Sequence, residues 1–148
     1  VKDVVKMCFS GKFTERQMYD KITKTGGLVD HLGTSDAREV CKMIDEGSQY
    51  AKLIYDAMIY QIAKQAGAMA AALEGDVDGI ILTGGISYDK YVDAELTRKL
   101  KFIAPVTVMA GEFEMEALAA GAIRVLSGEE QPKEYTGIPC WNGFDFDK

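Results

Sequence analysis

Three short stretches carry residue types that could do chemistry. The first is ILTGGIS, residues 81–87. A β-branched apolar run, two glycines and a helix start form the layout of ligand-binding turns at the carboxyl edge of a parallel sheet. Gly84 and Gly85 let the main chain adopt positive φ and let a base, ribose or phosphate lie against it, with Ile86 next in the turn. A tight strand-to-helix turn without a ligand uses the same residues, and the stretch is neither a Walker loop nor GxGxxG. The second is SDARE, residues 35–39, whose plain reading is a helix cap followed by a first-turn acid. The third is EFEME, residues 112–116, three acids that a helix N-terminus attracts for its dipole alone.

Other reactive types are thinly spread. His31 is the only histidine and reads as a solvated or capped loop residue. Ser10, Ser35, Ser48, Ser87 and Ser127 have no partner in the pattern that would make a nucleophile. Cys8, Cys41 and Cys140 are odd in number, far apart and without a CxxC pair, so they read as reduced thiols rather than a disulfide frame or a zinc site.

These stretches need elements to position them. Residues 2–9 read as a short helix ended by Gly11. Thr14 and Gln17 form a capping box for the next helix, with Met18, Tyr19 and Ile22 as its apolar stripe. Gly26 and Gly27 break it, and residues 27–33 read as an apolar loop of ambiguous type. Ser35 or Asp36 caps a helix to about Ile44. Residues 48–73 form one long helix, apolar nearly all round, which implies burial on more than one side. Residues 77–83 and 106–109 are the two strands, the second entered through Pro105, and helices 89–100 and 114–126 follow them. The alternation predicts a parallel crossover. The tail, 129–148, is irregular, and Trp141, Phe144 and Phe146 suggest that it packs onto the body.

Length and composition bound the rest. At 148 residues, with 47% hydrophobic and 27% charged residues, the chain is one domain's worth of folded protein. A net charge of −6 with signs interspersed argues against a nucleic-acid partner. The most apolar stretch, 57–73, is broken by Gln61, Lys64, Gln65 and Gly67, which argues against a membrane span and for a buried helix, while the reduced thiols point to a cytosolic protein. Two strands are few for a parallel sheet covered on both faces. With the interior-like start at Val1, this leads us to expect a piece of a longer protein.

ILTGG preceded by VDGI resembles the adenosine motif of the acetate and sugar kinase, Hsp70 and actin superfamily. Four segments, GGLVDHLGTSDAREV, AMIYQIAKQAGAMAAAL, VDGIILTGGISY and FIAPVTVMAGEFEMEALAAGAIRVLSGEE, resemble the butyrate kinases of the acetokinase family across nearly the whole chain. The resemblance implies an α/β fold: part of a ribonuclease H-like (actin-like ATPase) domain, helix-rich, with a truncated parallel sheet. It implies a kinase transferring phosphate from ATP to butyrate or a related short- or branched-chain fatty acid, with ATP/ADP and Mg²⁺ as cofactors. Nucleotide and short-chain carboxylate are the implied partners, and a homo-oligomer is possible. It carries Asp36 and Arg38, an Asp-x-Arg pair, to the nucleotide, where Arg38 serves as a planar fork or a stacking surface. It carries Gly84, Gly85 and Ile86 to the adenosine, and Glu114 to the magnesium with Glu112 second. The family's phosphate turns and acyl-phosphate arginine have no counterpart here, so no catalytic residue is expected and the chain alone is expected to be inactive. The competing expectation is a non-catalytic module that binds a nucleotide or a partner chain.

Overall fold

Short-range chemistry sets most helix boundaries. Helix α1, Lys2–Cys8, buries none of its residues. In α2, Glu15–Thr23, the Thr14 hydroxyl accepts from the Gln17 N–H and the Gln17 amide oxygen accepts from the Thr14 N–H at 2.9 Å, the expected box. Of the stripe, Met18 is buried while Tyr19 and Ile22 stay exposed. The segment expected as a loop is a short helix, α3, Leu28–Leu32. Gly33, at φ +77°, closes it by donating to the Val29 carbonyl at 2.9 Å, and Leu28 and Leu32 rest on the core, which an extended loop could not arrange. Asp36, not Ser35, caps α4, Ala37–Asp45. Ser48 caps α5, Gln49–Ala72.

The computed structural model describes residues 1–139 and 141. They fall into two units, 1–111 and 112 onward. In the first, β1 (Ile80–Gly84) pairs in parallel with β2 (Val106–Ala110), Ile80 opposite Val106. The ladder begins where the Ile80 N–H meets the Pro105 carbonyl, three residues after the apolar run starts. Beyond β1 the chain makes one 3₁₀ turn, Gly85–Tyr88, and Asp89 caps α6, Lys90–Leu100.

The core is a seam between helices. Val40 from α4, Tyr55 and Ile59 from α5, and Val92, Leu96 and Leu100 from α6 form one buried cluster, with Ile80 and Leu82 of β1 packed against it. Burial of each such side chain stabilises by about 1.5–3 kcal/mol. Ala51, Tyr55 and Ile59 fall at i, i+4 and i+8, so α5 buries a single stripe in its N-terminal half. Burial on more than one side is not met: Leu53, Tyr60, Met69 and Leu73 are exposed, and the main cover of this helix among the described residues comes from α3, α4 and α6. The sheet is likewise covered on one face, leaving Ile81 63% exposed on the other.

The second unit holds α7, Glu114–Leu126, which has no buried residue. Residues 131–139 carry no regular structure and Tyr135 is exposed. Trp141 is exposed, and Phe144 and Phe146, on which the expected packing of the tail also rests, lie outside the described residues, as does Cys140. Among the described residues no helix is long and apolar enough to cross a membrane.

Candidate functional site

Two of the three stretches meet. The start of α4 and the turn after β1 form the walls of a cavity of about 490 Å³. Arg38, Cys41 and Lys42 line it from α4; Gly85, Ile86 and Tyr88 line it from the turn. The volume lies within the range of about 300–1,000 Å³ typical of small-molecule sites.

Each wall has a local cause. Gly84 sits at φ +85° and ψ 179°, a conformation open to glycine and strained for any L side chain, and it redirects the chain out of β1. Its N–H donates to the Gly111 carbonyl and its carbonyl accepts from the Gly111 N–H, both at 3.1 Å, which pins the bend to the end of β2. A Cβ built on Gly85 would meet nothing within 4 Å, so the main chain there is bare toward open space.

On the other wall, Asp36 accepts the Arg38 N–H at 2.9 Å and the Arg38 Nε–H at 3.0 Å. The side-chain bonds and the charge of Arg38 hold the Asp36 carboxyl down at about 2. Asp36 does not line the cavity; it sets the aim of Arg38, whose side chain is 91% exposed. Lys42 and Lys90 add two cations to the lining that sequence reasoning passed over. Nothing but nearness to the two motifs marked them.

A second group was missed altogether. Asp89 Oδ2 accepts the Tyr55 hydroxyl at 2.7 Å and the Cys41 thiol at 3.1 Å, while Oδ1 accepts the Tyr91 N–H at 2.9 Å. Burial raises the Asp89 carboxyl, but the bonds from Tyr55, Cys41 and the backbone outweigh it and hold it below the usual range. Burial, and then the bond to Asp89, push both the Tyr55 hydroxyl and the Cys41 thiol up, so both stay protonated donors. Alongside, Lys52 Nζ donates to Asp56 at 2.7 Å and to the Tyr91 hydroxyl at 2.8 Å, and that hydroxyl donates to Asp56 at 2.6 Å. Cys41, Tyr55, Asp89, Lys52 and Tyr91 border a further cavity of about 300 Å³, which shares Cys41, Asp45 and Asp89 with the first.

His31 lies on α3 rather than in a loop, with its Nδ1 2.8 Å from the Tyr50 hydroxyl. Ser10, Ser87 and Ser127 donate to main-chain carbonyls. Glu114 opens α7 in the second unit and Glu112 precedes it, both exposed. Among the described residues no group of three or more His, Cys, Asp or Glu gathers around a metal-sized point.

The profile of the acetokinase family matches residues 9–124. The chain belongs to the acetokinase family. Within it, the chain is 56% identical over 132 residues to the probable butyrate kinase 2 of Caldanaerobacter subterraneus subsp. tengcongensis, a match covering 89% of this chain and 37% of that protein. It is 51% identical over 133 residues to butyrate kinase 2 of Clostridium acetobutylicum, covering 90% of this chain and 37% of that one. The chain thus spans little more than a third of these relatives. The acetate kinase of Porphyromonas gingivalis superposes with a TM-score of 0.72 at 22% identity, over 84% of this chain and 38% of that one. That likeness places the fold in the actin-like ATPase class: helix-rich α/β with a two-stranded parallel sheet. Nothing in these matches supports the non-catalytic module.

Proposed function

We propose that this chain is the C-terminal, nucleotide-binding portion of a longer carboxylate kinase that transfers the γ-phosphoryl group of ATP to butyrate or a related short- or branched-chain fatty acid. The products are acyl phosphate and ADP. One observation carries the reading: Arg38 and the Gly85–Ile86 main chain, 47 residues apart in sequence, line one cavity of a size suited to a nucleoside.

The roles follow from the chemistry of each wall. Adenosine lies along the bare main chain at Gly85 and Ile86, where a side chain would stand in its way. Arg38 gives a planar, permanently charged surface that stacks on a base or forks onto a phosphate, and Asp36 keeps it aimed. Lys42 and Lys90 offset part of the phosphate charge. Glu114 would hold magnesium, with Glu112 as the neighbouring choice, since Mg²⁺ keeps most of its waters and needs few carboxylates. Bound magnesium neutralises charge on the phosphates during an in-line transfer. The groups that grip the transferred phosphoryl and the acyl carboxylate belong to the part of the kinase that this chain does not span. A cytoplasmic enzyme that binds neither nucleic acid nor membrane fits the net charge of −6 and its even spread.

The test is calorimetry and turnover on the full-length protein that carries this sequence. ADP should bind at one site per chain, and butyrate with MgATP should give an acyl hydroxamate on trapping. An Arg38→Ala variant with unchanged ADP affinity would remove the nucleotide from this cleft.

A further inference from the structure

The Asp89 carboxylate does more than a helix cap requires. A cap needs one oxygen on one N–H, and Oδ1 meets that need through Tyr91. Oδ2 takes two further donors from two other helices: the Tyr55 hydroxyl of α5 at 2.7 Å, 34 residues away, and the Cys41 thiol of α4 at 3.1 Å, 48 residues away. Tyr55 is fully buried in the core seam, so its hydroxyl is a fixed point. Cys41 belongs to the α4 wall of the 490 Å³ cavity, and Asp89 directly follows the turn that makes the other wall.

We propose that Asp89 is a positioning residue for the nucleotide: through Tyr55 and Cys41 it sets the separation of the two walls between which the nucleotide lies. This rests on the nucleotide reading of the cleft. The wall carrying Gly85 and Ile86 is a single 3₁₀ turn bearing one buried residue, Ser87. Ile86 packs against the core cluster and the Ser87 hydroxyl donates to the Thr83 carbonyl, which seats the turn on the core. Among the described residues, Oδ2 adds the one side-chain tie that runs from the end of the turn directly to α4. A carboxylate suits the place because both partners are donors; an amide or a hydroxyl would bring a hydrogen toward groups that already carry one. Without the tie, the spacing of the walls rests on packing against the core alone, and the nucleotide must fix the remainder on binding. That cost falls on affinity for the nucleotide and leaves the carboxylate and the chemical step untouched.

The experiment uses the full-length kinase with Asp89→Ser, Tyr55→Phe, the double variant, and Arg38→Ala and Gly85→Val as controls. Serine keeps an oxygen for the α6 cap; if that variant does not fold, Asp89→Asn carries the same test. Expected for Asp89→Ser are a KM for ATP and a Kd for ADP raised about tenfold, with carboxylate KM and kcat within about twofold of the parent. Tyr55→Phe should move the same constants less, and the double variant should be no worse than Asp89→Ser. If both single variants leave nucleotide binding unchanged while the controls weaken it, the inference fails and the nucleotide site stands. If kcat and both KM values worsen together with a fall in Tm, Asp89 is a structural cap only and the inference is overturned. If the controls also leave ADP affinity unchanged, the site reading fails and takes this inference with it.

Discussion

At the scale of single residues, the two adjacent glycines make different demands. Gly84 is at φ +85°, so a side chain there strains the main chain by about 1–3 kcal/mol before any ligand is considered. Gly85 has no such φ, and a Cβ on it meets open space. Gly85→Val should therefore fold with a Tm within a few degrees of the parent while losing at least about tenfold in ADP affinity. Gly84→Val should lower Tm as well. Equal Tm losses in the two variants would mean that both glycines serve the backbone alone. Arg38 permits a second separation of roles. Lysine keeps the charge but not the plane, so Arg38→Lys should recover little of the ADP affinity lost in Arg38→Ala. Full recovery on calorimetry would reduce Arg38 to a point charge.

At the scale of elements, acid should loosen this fold from its helix starts and ties. Asp36, held at about 2, and Asp56 and Asp89, held below their usual range, are all depressed in the folded state. A depressed carboxyl contributes stability that is present above its unfolded value of 3.8 and is lost as pH falls through the folded one. Tm followed by circular dichroism should be insensitive to these groups between pH 5 and 8, counted from about 4 upward, and should fall below that. Asp36→Asn, which keeps a capping oxygen but no charge, should flatten part of the acid limb. The features behind this behaviour were unequally legible in the sequence. The Thr14–Gln17 box and the Asp36 cap act over two or three residues, and local pattern finds such bonds. The bond from Tyr55 to Asp89 spans 34 residues and depends on how α5 and α6 pack, which no local pattern states. The α3 helix hid for a related reason: five residues between glycines are too few for a period to show. The α5 segment misled in the opposite sense, because its apolar residues on every side said nothing of which side would find cover. The cleft itself was legible only through family resemblance, since neither Gly-Gly nor Asp-x-Arg commands a ligand by its own pattern.

At the scale of the whole molecule, uncovered apolar surface is the dominant feature. Leu53, Tyr60, Met69, Leu73 and Ile81 all face outward. At about 25 cal/mol per Å², a few hundred Å² of such surface gained by contact rivals the stability of a domain. The 148-residue chain by itself should therefore associate in light scattering at micromolar concentration. It should also give no acyl hydroxamate with MgATP and butyrate; turnover above a blank would show that the groups assigned elsewhere are dispensable. The two-stranded sheet adds something that can be followed amide by amide. Ile80 and Gly84 send their N–H groups toward the β2 side, and the strand repeat of two sends that of Leu82 the same way. The intervening amides of Ile81 and Thr83 point to the free side. In deuterated buffer these two should take up label quickly in the 148-residue chain while Leu82 stays protonated. In a longer protein that lays another strand alongside β1, all three should resist exchange, so the labelling of two amides reports whether the sheet has been completed.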